Sequence, residues 1–306
     1  MIPLNYPPPE GFLEPETRCD YFISKEMKEI WAVELDLAQK LLDVCKKHNL
    51  KIFADWGTSL GVVRHKGFIP WDDDIDFSML REDYEKLRKI APTEFKFPYH
   101  FFAADDAEVT ILCGHAKLRN SNTTAIFDDD KKRNLKCNQG IFIDIFPLDN
   151  VPDSSFAFFM QKKIARALVV SAYGFAFFST RYYNLSNKLI QYPAKIFHIL
   201  FGGLSEKLAK ICYKLFLKLV QKYNKKPTTK VSSLAFRLDI KPRYRSFFNE
   251  IIKMPFEHIQ LPIIQEYDNS LKTLYGDYMI FKKNASFHEG TFYDPSHPYT
   301  DYLKDK

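Results

Sequence analysis

Cysteine is sparse and scattered in this chain. The five thiols, Cys19, Cys45, Cys113, Cys137 and Cys212, are odd in number and never closely paired. That spacing excludes a dense disulfide framework and argues against a structural zinc site or a Cys-x-x-Cys redox motif, so reduced packing thiols are expected. Long apolar runs are missing too. The longest uncharged stretch, Ala167–Thr180, has fourteen residues, short of the roughly twenty that cross a bilayer. The opening MIPLNYPPPEGF has neither a basic region nor an apolar core, so it reads as an extended proline-rich arm, not a secretory signal. No internal repeat or low-complexity linker is visible. These absences point to a cytoplasmic globular protein, and 306 residues at 46% hydrophobic suffice for a sizeable core.

Acid is nearly lacking from one segment. Between Phe156 and Lys226, thirteen Lys or Arg stand against the single acid Glu206, in a chain whose net charge is only +6. Within it Lys207, Lys210, Lys214, Lys218 and Lys222 recur as one helical stripe, opposite Leu204, Leu208, Ile211, Leu215 and Leu219. Such a helix suits an anionic membrane surface, its lysines drawn to headgroups and its apolar face dipping inward. Packing of that apolar face inside a helical bundle is the competing reading. Nucleic acid is not expected, since no recognised binding fold accompanies the charge.

What is present is concentrated between Ala54 and Asp76. Phe53 and Ala54 end a short strand-like stretch, and Gly57, Thr58 and Gly61 form a small-residue turn. A strand-to-helix turn of this kind offers backbone N–H groups and a hydroxyl to phosphate oxygens. Arg64, His65 and Lys66 add cationic donors, with Arg64 matching phosphate in a bidentate way. Then comes Asp72-Asp73-Asp74-Ile75-Asp76, running into Phe77-Ser78-Met79. Alternation of Ile75, Phe77 and Met79 with Asp74, Asp76 and Ser78 predicts a strand with both aspartates on one face. Two carboxylates so placed make a hard-cation site for Mg²⁺ or Mn²⁺. For Asp72 and Asp73 a solvated turn is the alternative. Asp144, alone in the apolar run Ile141–Phe146, supplies a third carboxylate that is costly to bury unless paired or bound to metal; a loop cap before Pro147 is the other reading.

Gly57-Thr58-x-x-Gly61 with Arg64-His65-Lys66-Gly67-Phe68-Ile69-Pro70-Trp71-Asp72-Asp73-Asp74-Ile75-Asp76 resembles the signature of the LicD family. The likeness extends to Lys117–Thr124, to Gly140–Asp149 and to Leu274-Tyr275-Gly276-Asp277-Tyr278-Met279. These are phosphocholine-type transferases of bacterial surface polysaccharides, related to fukutin and fukutin-related protein. The resemblance implies a nucleotidyltransferase-like core with Asp74, Asp76 and Asp144 as metal-binding catalytic residues. It further implies a CDP-alcohol donor such as CDP-choline and a glycan or lipid-linked glycan acceptor. Lys117 and Arg119 match the second motif and are weaker candidates for donor or acceptor contacts. Trp56 stands where the family has a small residue, which would narrow the donor pocket.

The expected fold is α+β: a nucleotidyltransferase-like mixed β-sheet core flanked by helices, with a basic helical insertion. Residues 1–24 form the arm, 25–150 the catalytic core, 151–255 the basic helical region, and 256–306 a C-terminal helix and tail packing on the core. Ile30, Val33, Leu37, Leu41 and Val44 predict a helix over Lys25–His48. A helix from Arg81 should stop before Pro92, with strands at Lys96–Phe102, Val109–Leu118 and Gly140–Phe146. Asp128–Arg133 reads as a loop, and Pro262 as the first turn of a helix over Ile263–Tyr275 closed by Gly276. The expected activity transfers a phospho-alcohol group and releases CMP at the inner face of the cytoplasmic membrane. A nucleotide-sugar glycosyltransferase and a noncatalytic membrane adaptor are the alternatives.

Overall fold

Ser24 opens the first long helix by accepting the Met27 N–H (3.2 Å), and Lys46 and Lys47 complement the dipole at its end. The computed structural model describes residues 2–103, 113–128, 137–180, 188–282 and 290–303. In chain order the elements are β1 (Glu16–Arg18), β2 (Tyr21–Ile23), α1 (Lys25–Lys47), β3 (Phe53–Ala54), α2 (Trp56–His65), β4 (Asp76–Leu80) and α3 (Arg81–Glu94). Next come β5 (Tyr99–Phe102), β6 (Ala116–Asn120), β7 (Thr124–Ile126), β8 (Ile141–Val151), α4 (Ser155–Thr180) and α5 (Lys188–Val220). The chain closes with β9 (Lys230–Ser232), β10 (Arg243–Tyr244), β11 (Ile251–Phe256), β12 (Ile259–Ile264), α6 (Tyr267–Tyr275) and β13 (Phe292–Asp294).

The fold is α+β, with a seven-stranded mixed sheet built around β8. One edge of β8 pairs in parallel with β4, and β4 pairs antiparallel with β3. The other edge is shared: β6 lies antiparallel along Ala116–Asn120, and β9 pairs with Asp149–Val151. Outside these run β5 and β10. Ile141, Ile143 and Ile145 pack with Trp31, Leu35 and Leu41 of α1 in the main core. The alternate residues of β8 then face the opposite way, and that face carries Asp144. Burial of α1 thus fixes which side of the sheet is chemical.

Several expected boundaries move. Sheet pairing of β4 begins at Asp76, so Asp74 sits in the extended lead-in, not in the strand. The small-residue turn is shorter than expected, because α2 already starts at Trp56 and contains Gly57, Thr58 and Gly61. Pro92 lies inside α3, which runs on to Glu94; so near the C-terminus the missing N–H removes one hydrogen bond without stopping the helix. Pro262 belongs to strand β12 opposite Lys253, and the helix begins only at Tyr267. Leu261 and Ile263 are buried there, and strand pairing with β11 outweighs the helix-start reading of the proline. Expected strands at 96–102 and 109–118 shrink to β5 and β6, with residues 104–112 outside the described part. Most of the expected loop at 128–133 also lies outside the described residues.

The basic segment forms an antiparallel helical pair. Gln161 Nε2 donates to Leu219 O (3.0 Å), and Ser205 Oγ donates to Phe175 O (2.9 Å). The seam combines small residues, Ala165, Ala172 and Ala176 against Ser205 and Ala209, with buried Tyr213, Phe216, Leu217 and Val220. Leu204, Ile211 and Leu215 remain exposed, so the leucine face is not spent on the partner helix. Lys222 follows the end of α5 and is not on its stripe.

Candidate active site

Register places the two central carboxylates side by side: Asp76 of β4 lies opposite Asp144 of β8. The Asp144 N–H donates to Ile75 O (3.0 Å), and the Asp76 N–H to Thr58 Oγ1 (2.7 Å). Thr58 therefore ties α2 to the start of β4. Burial raises the Asp76 carboxyl well above the usual range, reinforced by Asp74, Asp144, Asp72 and Asp55. Asp72 is pushed up to about 6, by burial and by Asp73. Its Oδ2 would lie 2.8 Å from a Cβ at Gly57, so glycine leaves room for a carboxylate against the first turn of α2. Gly61 is equally constrained, since its Cβ would meet Gly67 O at 2.5 Å.

Asp144 lives in the opposite field. Burial alone would raise its carboxyl, yet Lys117 and His115 outweigh this and hold it below the usual carboxylate range. Lys117 Nζ reaches Asp144 Oδ1 at 2.6 Å and His115 Nε2 at 3.1 Å. Lys117 gets there because it is the register partner of Asp144 on β6. Arg119, two residues on, instead donates to Gly140 O (2.7 Å) and covers the Phe142 ring. His115 is raised to about 9: burial opposes this, and Cys113 and Asp144 overcome it.

Some residues in the site carried no signal of their own in the sequence. Asp55 caps α2 through the Trp56 N–H (3.0 Å), accepts from Ser78 Oγ (2.7 Å), and is gripped by both Arg243 Nη atoms at 2.6 Å. Glu34 of α1 is buried, and its Oε2 has no hydrogen-bond partner among the described residues. Burial, then Asp74, Asp73, Asp72 and Asp76, raise its carboxyl well above normal. Tyr275, within the C-terminal motif, is raised by burial and by Asp55, Asp76 and Asp72. Tyr293 donates its hydroxyl to Asp73 Oδ2 (3.3 Å). A charged residue on the apolar stripe of α1 and a histidine two before Lys117 were available signals; Arg243 had none.

The expected phosphate contacts separate along α2. Gly57 and Thr58 lie in its first turn, whereas Arg64 occupies the last turn and Lys66 follows as an exposed left-handed C-cap. Arg64 Nη1 donates to Tyr278 O (3.0 Å), its plane covers Phe281, and its Nε–H is buried without a partner. Trp56 adopts φ +49, a backbone region that favours glycine. Its ring meets Phe146 and Phe236 edge-on at 6.2 and 6.3 Å.

The donor chemistry fits a hard divalent cation: all-oxygen ligands, clustered negative charge around Asp76, and an unpartnered Glu34 carboxylate oxygen facing the cluster. Among the described residues no three such side chains already converge as metal ligands, because Asp144 is turned to Lys117 and His115.

Residues 49–164 match the family described as LicD/FKTN/FKRP, nucleotidyltransferase domain. The chain is 26% identical over 262 residues to the lipopolysaccharide cholinephosphotransferase LicD of Haemophilus influenzae, covering 83% of this chain and 91% of that one. Shorter likenesses link it to uncharacterised proteins of Rickettsia typhi (33% over 76 residues, 25% of this chain and 24% of that one) and Rickettsia prowazekii (44% over 50 residues, 16% and 19%). The signature segment, the aspartate pair across β4 and β8 and these matches agree: residues 49–164 are similar to the LicD-type nucleotidyltransferase domain, and the chain is a transferase.

Proposed function

We propose that this protein transfers a phospho-alcohol group, phosphocholine-like, from a CDP-activated donor to a hydroxyl of a cell-surface or lipid-linked glycan. The acceptor oxygen bonds to the distal phosphorus of the donor, the bond between the two phosphates breaks, CMP leaves, and the hydroxyl proton passes to a base. The carrying observation is the in-register pair Asp76–Asp144 with Asp55, Asp72 and Asp74 acting on the same carboxyl.

Asp74, Asp76 and Asp144 would hold Mg²⁺ or Mn²⁺, which when bound neutralises the donor diphosphate and the departing CMP. Lys117, already at Asp144, is set to meet phosphate oxygens once the carboxylate turns to the cation. Gly57, Thr58 and Gly61 shape the first turns of α2, whose N–H groups suit phosphate. Arg64 keeps one donor unengaged, and with Lys66 and Arg119 completes the proposed contacts. Asp144, held at low pKa by two cations, is a weak base, so its role is to hold charge more than to take the proton.

The reaction is proposed at the inner face of the cytoplasmic membrane, with residues 156–226 on an anionic surface. Exposed Lys207, Lys210, Lys214 and Lys218 beside exposed Leu204, Ile211 and Leu215 support this. No helix among the described residues is long and apolar enough to cross a membrane. The test is a donor panel: CDP-choline, CDP-ethanolamine, CDP-glycerol, CDP-ribitol and UDP-sugars with Mg²⁺ and a glycan acceptor. CMP release from a CDP-alcohol is expected. UDP release would favour glycosyl transfer, and release of neither nucleotide would favour the adaptor.

A further inference from the structure

Next to Asp144 the structure contains a second space. A cavity of about 550 Å³ lies between α4, α5, the 234–238 turn and the residues that lead into β6. Val169 and Val170 of α4, Phe216 of α5 and Phe236 make its wall largely apolar. Arg166 is the one Lys or Arg that lines it among the described residues. The carboxylate within electrostatic reach of Arg166, Asp239, is already paired with Arg237 at 2.6 Å. Arg166 therefore offers a phosphate-type charge site in an apolar setting.

The two ends of the cavity differ. His115 forms the inner end, its ring 5.3 Å from Phe236 and its Nε2 3.1 Å from Asp144 Oδ1. One imidazole separates this space from the proposed catalytic carboxylate. At the outer end Val170 is 62% exposed. The hairpin register set by Ser205 and Phe175 puts exposed Leu200 and Leu204 further along the same end. Lys162, Lys163, Lys210 and Lys214 surround the level of Arg166, a basic collar below an end where exposed Ile196, Ile199, Leu200 and Leu204 outnumber exposed Lys195 and Lys207. That layering matches an amphiphile seen from water to oil: head group, phosphate, chain.

We propose that this cavity binds the acceptor as a long-chain phosphate ester, with its phosphate on Arg166, its glycan toward Asp144 and its chain leaving past Val170. The proposal rests on the transferase reading for the head-group direction only. It explains why the apolar faces of α4 and α5 stay uncovered: they continue the path of the chain into the lipid. It also assigns a charge, Arg166, that the proposed donor contacts leave unused.

Dodecyl phosphate, titrated calorimetrically into the full-length protein below its micelle concentration, tests this without donor or metal. One saturable site is expected, with inorganic phosphate giving no measurable heat. Arg166→Ala, which removes the charge, and Val170→Trp, which fills the outer cavity, should each weaken it about tenfold or more. Both positions are exposed on α4, and circular dichroism checks that each variant is folded. Equal affinity in wild type and both variants, or unsaturable uptake, overturns the assignment. Saturable binding lost in the variants, together with no CMP release from any donor, would leave the channel standing and remove the transfer reading.

Discussion

Arg243→Met should be among the most damaging single changes outside the carboxylate cluster. Arg243 and Asp55 are 2% and 5% exposed at their side chains, and two contacts of 2.6 Å join them. Arg243 also donates to Ser270 Oγ (3.0 Å), so it ties α6 to the cap of α2. Removing one partner of a buried pair typically costs about 3–5 kcal/mol, because the other charge is left without compensation. Here the cost falls toward the upper end, since the stranded Asp55 carboxylate already acts on Asp76. With a urea m-value of about 1–3 kcal/mol/M, the unfolding midpoint should drop by at least about 1 M. Asp55→Asn in the same chain should recover part of the loss by removing the orphaned charge while its amide still bonds the Ser78 hydroxyl. A single variant within about 1 kcal/mol of wild type would show that the pair is solvent-screened and that this reasoning fails.

Two further outcomes follow from the same geometry. Trp56→Gly should keep about 1 kcal/mol more stability than Trp56→Ala, reversing the usual order, because φ +49 costs a Cβ-bearing residue about that much; thermal melts in which Ala is the better residue would contradict it. In chelator, stability should fall as pH rises from 5 to 9. Asp72 is raised to about 6, so it lowers stability progressively from its ordinary 3.8 up to about 6, and about 1 kcal/mol of that decline falls above pH 5. His115, raised to about 9, contributes stability that is complete below its ordinary 6.5 and lost as pH climbs through 9. Asp144, held low, loses its contribution only in strong acid. A melting temperature higher at pH 8 than at 5.5 would contradict the assignment.

Much of the site was legible because its chemistry is local in sequence. The alternation around Asp76 and the lone Asp144 in an apolar run both announce strands, and parallel pairing of those strands brings them together. Asp74 was misplaced, since alternation continues into a lead-in that precedes the paired residues of β4. Arg243 could not be read at all: its partner is 188 residues away, and no local pattern marks a basic residue in a two-residue strand. The basic helices show a different limit. Periodicity identified lysine and leucine stripes, yet the packed face mixes Ala172, Ser205 and Ala209 with Tyr213, Phe216 and Leu217, and its small members give little hydropathy contrast. Helix packing by small residues is silent in a leucine-based reading.

The most direct measurement is CMP release from CDP-choline and a glycan acceptor by wild type and Asp76→Asn, each with Mg²⁺ and with chelator. Turnover by wild type with metal only is expected, with a loss of about a hundredfold or more in the variant, on the order of 3 kcal/mol of barrier. Because burial and the neighbouring carboxylates disfavour charge on Asp76, the same variant should melt no lower than wild type in chelator. Undiminished turnover by folded Asp76→Asn, or release that ignores the chelator, would contradict it.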